Sequence, residues 1–235
     1  MINNSEVKIH NSYHFGGLNG SGKDSVAEEV IFQHLPLTSK IISTGKIVRE
    51  AMASENNQYH KILKGNFEKS KNGGLVDDMP ILRVVINEID TGMKAGKDTD
   101  IFPGFERTQF QYDYMNKHYE TYMENGVEVR PVYIFLAISE KTAIERAQLR
   151  SDMDIANGQT PRIDDQPPVV KNRIEAFNRE IWPFWNYLIQ QNKVVTVKGD
   201  QDIRDVARQV LGVLKIVPNE EIIQRAYNKI MKKDK

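Results

Sequence analysis

One apolar run, VYIFLAI at residues 132–138, constrains the fold more than any other feature of the sequence. A run of this length without a charge is too apolar for an exposed sheet edge, so we expect a strand that is buried on both faces. Such strands are typical of parallel sheets whose connecting helices cover both faces. Shorter apolar segments at 194–197 and 40–43 predict two more strands of this sheet. By contrast, HNSYHFGG at 10–17 is a poor apolar strand.

Amphipathic stretches alternate with these strands and predict the covering helices. Their apolar residues recur every three or four positions, which places them on one helix face. The predicted helices span 23–34, 77–89, 109–124, 140–150, 168–190 and 202–214, and Asn219 can cap a further helix within 218–232. The polar stretch 151–165 predicts a mobile loop, and 54–74 predicts a small helical insertion. This alternation predicts a three-layer α/β fold.

The composition excludes several classes of function. Lysine plus arginine and aspartate plus glutamate number 32 each, so no net field favours nucleic acid or an acidic membrane. The chain has no cysteine, which excludes a disulfide, a thiol nucleophile and a cysteine-bound zinc. No stretch approaches the roughly 20 apolar residues that span a bilayer, and the polar first residues lack a signal-peptide core. We therefore expect a cytoplasmic protein that binds neither nucleic acid nor a membrane.

A glycine-rich loop suggests a nucleotide site. Gly17, Gly22 and Lys23 match the pattern G-x-x-x-x-G-K, in which backbone N–H groups surround phosphate oxygens and the lysine reaches the terminal phosphates. Asp24 stands where the commonest motif has Ser or Thr, and Ser25 follows it. From this segment alone, a plain glycine turn remains an alternative.

Four further segments follow the loop in a fixed order. They contain, in turn, Ser43, Thr44, Gly45 and Arg49; Gly104, Phe105, Arg107, Thr108 and Gln111; Arg146 and Arg150; and Arg162, Asp164, Asp165 and Arg173. Together with the loop GLNGSGKDS, these segments resemble the motifs of the adenylate kinases and of the wider nucleoside monophosphate kinase family. The resemblance covers nearly all of 15–214, and five ordered motifs are far more specific than one glycine loop.

The resemblance implies a three-layer P-loop NTPase fold with a five-stranded parallel sheet, a helical insertion that binds the nucleoside monophosphate (NMP), and a short lid. On this basis, 1–235 is one kinase unit. Its core is 7–43, 90–150 and 163–215, its insertion is 44–89, its lid is 151–162, and its C-terminal helix is 218–232. We expect a monomer, as the short-lid members of the family often are.

The resemblance also implies an activity, the reversible and direct transfer of a phosphoryl group from ATP to AMP, which gives two ADP. Mg²⁺ accompanies the ATP, and no covalent enzyme intermediate forms. Such a transfer depends on positioning and on cations, and arginines supply both. The implied catalytic residues are Lys23, Arg107, Arg146, Arg162 and Arg173.

Two binding sites follow from the same resemblance. The implied ATP site contains Gly17, Asn19, Gly20, Ser21, Gly22, Lys23, Asp24, Ser25, Arg146, Arg150 and Gly199. The implied AMP site contains Thr44, Gly45, Arg49, Leu75, Val76, Ile81, Gly104, Arg107, Gln111, Arg162 and Arg173. Ser25 is the implied protein contact of the metal. Thr44 and Gln111 favour adenine, because pyrimidine-directed relatives tend to have Ala and Asn there; the three apolar residues are equally well read as helical core.

Several residues depart from the family pattern. Lys46 and Pro103 replace two aspartates that help to hold magnesium through water. Asp24 is expected to point outward, and Glu106, in place of the usual proline, is expected at the surface. The departures leave two alternatives to an ATP:AMP kinase, namely a kinase for another (deoxy)nucleoside monophosphate and a catalytically weak nucleotide-binding module. Asp165 and its neighbour Asp164 are expected to order the lid through ion pairs with Arg162 and Arg173.

Overall fold

The structure is a computed structural model that describes residues 7–72, 74–161 and 165–232. Its centre is one five-stranded, all-parallel sheet in the order β2-β3-β1-β4-β5. The strands are β1 (Lys8–Gly16), β2 (Ser39–Ile41), β3 (Thr99–Pro103), β4 (Val127–Ala137) and β5 (Val194–Lys198). The predicted α/β class is confirmed.

The helices alternate with the strands as predicted. Two of them contain a π-helical segment: α1 (23–34) has one at Val26–Ile31, and α8 (167–190) has one at Phe177–Ile181. The others are α2 (Thr44–Ala53), α3 (His60–Leu63), α4 (Phe67–Lys71), α5 (Asp78–Lys94), α6 (Gln109–Glu124), α7 (Glu140–Ala156), α9 (Ile203–Val213) and α10 (Glu220–Lys232).

Helices cover both faces of the sheet, which makes the predicted three layers. On one face, Tyr13 and Phe15 of β1 pack with Val26 of α1 in a buried cluster that also includes residues of α9. On the other face, Phe102 of β3 packs in a cluster with Val85 of α5 and with residues of α2 and α6. Side chains of successive strand residues point to opposite faces, so each strand serves both cores.

The central strand β1 contains the segment 10–17, whose polar sequence is poor for an apolar strand. Its polar residues are tolerated in the interior because they are paired with one another and with neighbouring elements. His10 Nε2 lies 2.7 Å from Asp100 Oδ2, and Ser12 Oγ lies 2.7 Å from His14 Nε2 and 3.1 Å from the Tyr119 hydroxyl. The strand therefore carries hydrogen bonds on the face where an apolar strand would carry only packing.

One strand and the ends of two helices differ from the predictions: α5 was predicted to end at residue 89, but it continues to Lys94. No strand was predicted at 99–103, because Ile101 and Phe102 are too short an apolar run to stand out. Helix α7 was predicted to end at residue 150, but it continues to Ala156. No glycine or proline interrupts 151–156, and the chain leaves the helix at Gly158, whose φ is 69°. A glycine in the left-handed region is the usual helix stop, so the loop begins later than predicted.

Strands β2 and β3 lie on one side of β1, and the chain then passes to the other side of β1 to form β4 and β5. In open α/β sheets, such a switch in strand order leaves a crevice at the carboxyl ends of the strands, where ligands bind. Here the loops after β1 and β3 meet at that edge, since the Gly104 N–H donates to the Phe15 carbonyl oxygen at 3.0 Å. Within the described ranges, no helix is both long and apolar enough to cross a membrane.

Candidate active site

A cavity of about 630 Å³ opens at this carboxyl edge. Its volume is within the usual range of small-molecule sites, about 300–1,000 Å³. It is lined by sequence-predicted residues from both halves of the site: Gly17, Asn19, Gly20, Lys23, Asp24, Thr44, Gly45, Arg49, Leu75, Val76, Ile81, Gly104, Arg107, Gln111, Arg150 and Arg173. One concave space therefore brings the glycine loop together with the arginines that the sequence analysis singled out.

The glycine loop turns tightly between β1 and α1. Gly17 has a φ of 137°, and a Cβ there would lie 2.6 Å from the Leu136 carbonyl oxygen, so the position requires glycine. The Ser21 N–H donates to the Leu18 carbonyl oxygen at 3.1 Å and closes the turn. Helix α1 starts directly afterwards, so its free N–H groups and positive dipole end face the cavity side of the loop.

The electrostatics of the cavity favour anions. The Lys23 ammonium is buried and donates to the Leu18 carbonyl oxygen at 3.2 Å. Burial, together with the positive charges of Arg107, Arg173 and Arg150, lowers the pKa of Lys23 to about 8, although Asp24 opposes the shift. These guanidinium groups are thus near enough to disfavour the lysine charge. An anion placed among them would relieve that repulsion.

The acceptor side of the cavity is organised by the backbone at Gly104. The Gly104 carbonyl oxygen accepts from Arg107 Nε at 2.7 Å and from Thr44 Oγ1 at 3.5 Å. Ser43 caps α2, because its Oγ accepts from the Lys46 N–H. This cap fixes the start of the helix that bears Thr44 and Arg49. Both threonine and arginine therefore reach the cavity from elements whose ends are hydrogen-bonded in place.

Gln111 is buried, and its amide is held in one orientation. Its Oε1 accepts from the Arg107 N–H at 2.8 Å, and its Nε2 donates to Asp78 Oδ1 at 2.8 Å. A primary amide has a second N–H and a second lone pair, so one donor and one acceptor function are still available. Asp78 was not predicted as a site residue. It orients Gln111 across 33 positions of sequence, and sequence patterns do not show such a contact.

Arg146 has a different environment from the other predicted arginines. It is not among the residues that line the cavity; its guanidinium donates to the carbonyl oxygens of Gly20 and Gly199, each at 2.9 Å. It thus connects the glycine loop to the end of β5. The other predicted residues outside the cavity lining are Ser21, Gly22, Ser25 and Gly199. Arg162 and Asp164 lie outside the described residues, and direct nucleotide contact by any of these residues stays a prediction.

Arg150 and Asp165 form a bidentate ion pair at the cavity wall. Arg150 Nε and Nη2 donate to Asp165 Oδ2 and Oδ1 at 2.8 and 2.5 Å. The Asp165 side chain is only 2% exposed, so this carboxylate depends on its partner. Asp165 was expected to form ion pairs with Arg162 and Arg173; Arg162 lies outside the described residues, so this expectation stays a prediction. The pair observed with Arg150 places the end of α7 against the residues that precede α8.

The expectation that Glu106 is a surface residue was wrong. Its side chain is completely buried, although it adjoins Arg107 on the cavity wall. Glu106 has a φ of 56°, so the backbone turns its side chain inward, away from solvent. Sequence patterns do not show a left-handed backbone at a glutamate, because residues other than glycine rarely adopt it. Asp24 is exposed but also lines the cavity, so the expectation that it points away from the phosphates stays a prediction.

Among the described residues, no magnesium site of the protein's own is formed. In the described part of the chain, no group of three or more histidine, aspartate or glutamate side chains could hold a metal ion. Lys46 and Pro103 do line the cavity, at the positions where the resembled kinases have aspartates, and Ser25 does not. A lysine and a proline offer no oxygen ligand from their side chains. We therefore derive no catalytic step through a metal ion held by the protein.

Comparisons with known proteins were made for the whole chain. No protein-family model matches it. Among curated proteins, the adenylate kinase of Parabacteroides distasonis is 30% identical over 190 residues, which is 81% of this chain and 90% of that protein. The adenylate kinase of Methylobacterium radiotolerans is 29% identical over 202 residues, 86% of this chain and 94% of that protein. That of Nitrobacter hamburgensis is 25% identical over 195 residues, 83% and 88% of the two chains.

These relatives match nearly their whole length, so the likeness extends to the complete kinase unit and not to the glycine loop alone. It supports a nucleoside monophosphate kinase as the class of this protein, with the transferase and ATP-binding properties of that class. The sequence motifs, the parallel sheet and these relatives agree, and the chain belongs to the adenylate kinase family.

Proposed function

We propose that this protein catalyses reversible phosphoryl transfer from ATP to AMP, which gives two ADP. The observation that carries the proposal is the cavity of about 630 Å³, which the glycine loop with Lys23 shares with Arg49, Arg107, Arg150 and Arg173. Two nucleotide phosphate chains that meet in one space bring six or more negative charges together. Cations must offset this repulsion before the reacting groups can approach each other.

We assign each cation a role from its place on the wall. Lys23 and Arg150 serve the donor, because Lys23 follows the glycine loop and Arg150 lies on α7 beside it. Arg49 and Arg107 serve the acceptor phosphate, because α2 and the segment after β3 bear them. Forked guanidinium groups suit a dianionic phosphate geometrically. Arg173 lies near enough to Lys23 to affect its pKa, so we assign it to the phosphoryl group in transit.

The reaction requires no covalent intermediate with the enzyme. An oxygen of the AMP phosphate attacks the terminal phosphorus of ATP, and the bond from that phosphorus to the bridging oxygen breaks as the new bond forms. Lys23 follows the moving group, and the guanidinium groups offset its charge. Residues of the insertion at 44–89, among them Lys71 and Leu75, line the same cavity, so we propose that it closes over the acceptor and excludes water.

Magnesium enters this scheme with the donor, as MgATP. The part of the chain that the structure describes offers no ligand cluster, so we assign the ion to the nucleotide phosphates and water. We also propose that one chain suffices for catalysis, because donor and acceptor walls belong to the same chain. The lid at 151–162 stays a prediction, since α7 occupies its first six residues.

A rate assay tests the proposal. With ATP, AMP and magnesium, the protein is expected to form ADP at about 1–100 per second. Lys23→Ala should lose most of this rate while its circular dichroism spectrum stays unchanged. Lys117→Ala, which removes an exposed lysine of α6, is the matched control and should keep the rate. An unchanged rate in Lys23→Ala would refute the role of Lys23.

The same assay separates the alternatives. Product formation is measured with AMP, CMP, UMP, GMP and their deoxy forms, each with and without magnesium. A preference for another monophosphate would assign the protein to a different acceptor, which Lys46 would contact from its place on the wall. Tight nucleotide binding with negligible ADP formation would support a binding module instead.

A further inference from the structure

A group of buried, ionisable side chains lies behind the acceptor half of the cavity. We call His14, Glu106, Tyr119 and Tyr133 the buried acid cluster. The side chains of His14 and Glu106 are completely buried, and His14 Nδ1 lies 3.6 Å from Glu106 Oε2. Both Glu106 oxygens, His14 Nδ1 and the Tyr133 hydroxyl lack a well-formed hydrogen bond among the described residues, although the Tyr133 hydroxyl lies near enough to Glu106 to oppose the rise of its pKa. Unpaired polar atoms are rare in protein interiors, so their convergence calls for an explanation.

The protonation states of His14 and Glu106 explain these unpaired atoms. Burial raises the pKa of Glu106 to about 8 and lowers the pKa of His14 to about 3, so both are neutral at pH 7. His14 Nε2 contacts Ser12 Oγ at 2.7 Å. If Nε2 carries the ring proton, Nδ1 is an acceptor, and the neutral Glu106 carboxyl is the matching donor. A movement of about 1 Å brings the two to hydrogen-bond distance.

The cluster connects the two halves of the active site. Glu106 belongs to the segment 104–107, whose Gly104 carbonyl oxygen accepts from Arg107 Nε at 2.7 Å. His14 precedes Phe15, whose carbonyl oxygen accepts from the Gly104 N–H at 3.0 Å, directly before the glycine loop. The left-handed backbone at Glu106 costs about 1–2 kcal/mol, so the segment needs an anchor to hold this shape.

We propose that Glu106 is a positioning residue for Arg107. Its carboxyl group holds the segment 104–107 against His14 of β1, and this directs the Arg107 guanidinium toward the acceptor phosphate. This inference rests on the proposed function. Ionising a completely buried carboxyl group costs free energy unless a cation or hydrogen bonds compensate the charge. Loss of the proton therefore displaces the segment, and acceptor binding weakens as Glu106 titrates.

Three groups that face Glu106, namely His14, Tyr119 and Tyr133, do not titrate in the same pH range. On β1, His14 stays neutral because burial disfavours its charged form. On α6 and β4, burial raises the pKa of Tyr119 and of Tyr133 well above the ordinary value of 10. On β3, Asp100 is paired with a histidine, His10, at 2.7 Å.

On the cavity side, among the described residues, the titration of Lys23 overlaps that of Glu106, because the pKa of Lys23 is also about 8. A Cβ at Gly104 would lie 2.9 Å from Lys23 Cε, so the lysine stem contacts the outer side of the segment. Lys23 is retained in every variant below. Its effect therefore cancels when variants are compared with the wild type.

The test measures KM for AMP and kcat from pH 6.5 to pH 9 in the wild type and in Glu106→Gln. Glutamine keeps the shape of the neutral acid but cannot ionise. Relative to Glu106→Gln at the same pH, the wild type is expected to lose acceptor affinity about tenfold over this range, the effect of losing one charge-assisted hydrogen bond. Glu124→Gln removes an exposed carboxylate of α6 and should follow the wild type.

Glu106→Ala removes the anchor, so it should raise KM for AMP at every pH, and Glu106→Met, which keeps the volume but has no hydrogen-bond donor, should raise it too, whereas a role in packing alone would be restored by methionine. Parallel KM profiles in the wild type and Glu106→Gln would overturn the inference. Carbon-13 NMR of the glutamate carboxyl carbons provides a readout without turnover: one signal should titrate near pH 8 and be absent from Glu106→Gln. A wild type that forms no ADP at any pH refutes the proposed function, whereas a Glu106 signal that titrates near pH 4.5 refutes this inference.

Discussion

Replacing Glu106 with glutamine should change how the stability of the protein depends on pH. The ordinary pKa of a glutamate carboxyl is 4.5, and burial raises it to about 8 in the folded protein. Between these values the folded state keeps a proton that the unfolded state releases. The free energy of unfolding of the wild type therefore falls as the pH rises from about 4.5 to about 8, and the loss is complete above that window.

The size of the effect follows from the width of the window. Each pH unit within it costs about 1.4 kcal/mol. At pH 7, about 2.5 units above 4.5, the wild type has therefore lost about 3 kcal/mol relative to a side chain that cannot ionise. The amide of Glu106→Gln makes its own contacts in the pocket, but they add the same offset at every pH. The slope against pH thus carries the prediction.

Urea unfolding, followed by tryptophan fluorescence at pH 5, 6, 7 and 8, measures this slope. Relative to the wild type, Glu106→Gln should gain about 3 kcal/mol of unfolding free energy between pH 5 and pH 8. Glu124→Gln, whose carboxylate is exposed, should show no such gain. All other titrating groups are shared, so they cancel in the difference. A difference between Glu106→Gln and the wild type that stays constant within about 0.5 kcal/mol would refute the buried neutral acid.

Two further variants test the donor and acceptor walls. Gly17→Ala places a Cβ 2.6 Å from a backbone oxygen at a φ of 137°, so ATP affinity measured by calorimetry should fall at least tenfold. The control, Gly126→Ala, also lies at a positive φ, 78°, but its Cβ would meet no other atom within 4 Å. It should cost only about 1 kcal/mol of stability and leave ATP affinity unchanged. Asp78→Ala removes the acceptor of the Gln111 amide N–H, so the ratio of kcat/KM for AMP to that for the other monophosphates should fall about fivefold, whereas the exposed Asp77→Ala leaves it unchanged.

Much of the fold could be predicted because local patterns encode it. Helix α6 was predicted at 109–124 and occupies the same residues. Its cap, Thr108, directly precedes the helix, and its apolar spacing lies within it, so both signals are local. The glycine loop and Lys23 were predictable for the same reason. Strand β1 was not recognisable, because the partner that makes His10 tolerable in the interior, Asp100, lies 90 positions away. Burial of Glu106 depends on a backbone conformation that its residue type disfavours.

The central claim is that donor and acceptor phosphates face each other in one cavity. A nucleotide with two adenosine groups joined by five phosphates can occupy both halves at once, so titration calorimetry with this compound tests the claim directly. One molecule of this compound should bind per chain, and it should compete with both ATP and AMP. Its affinity should exceed that of ATP about 10²- to 10⁴-fold, because the second half binds as an intramolecular event. Two molecules per chain, or an affinity no greater than that of ATP, would contradict it.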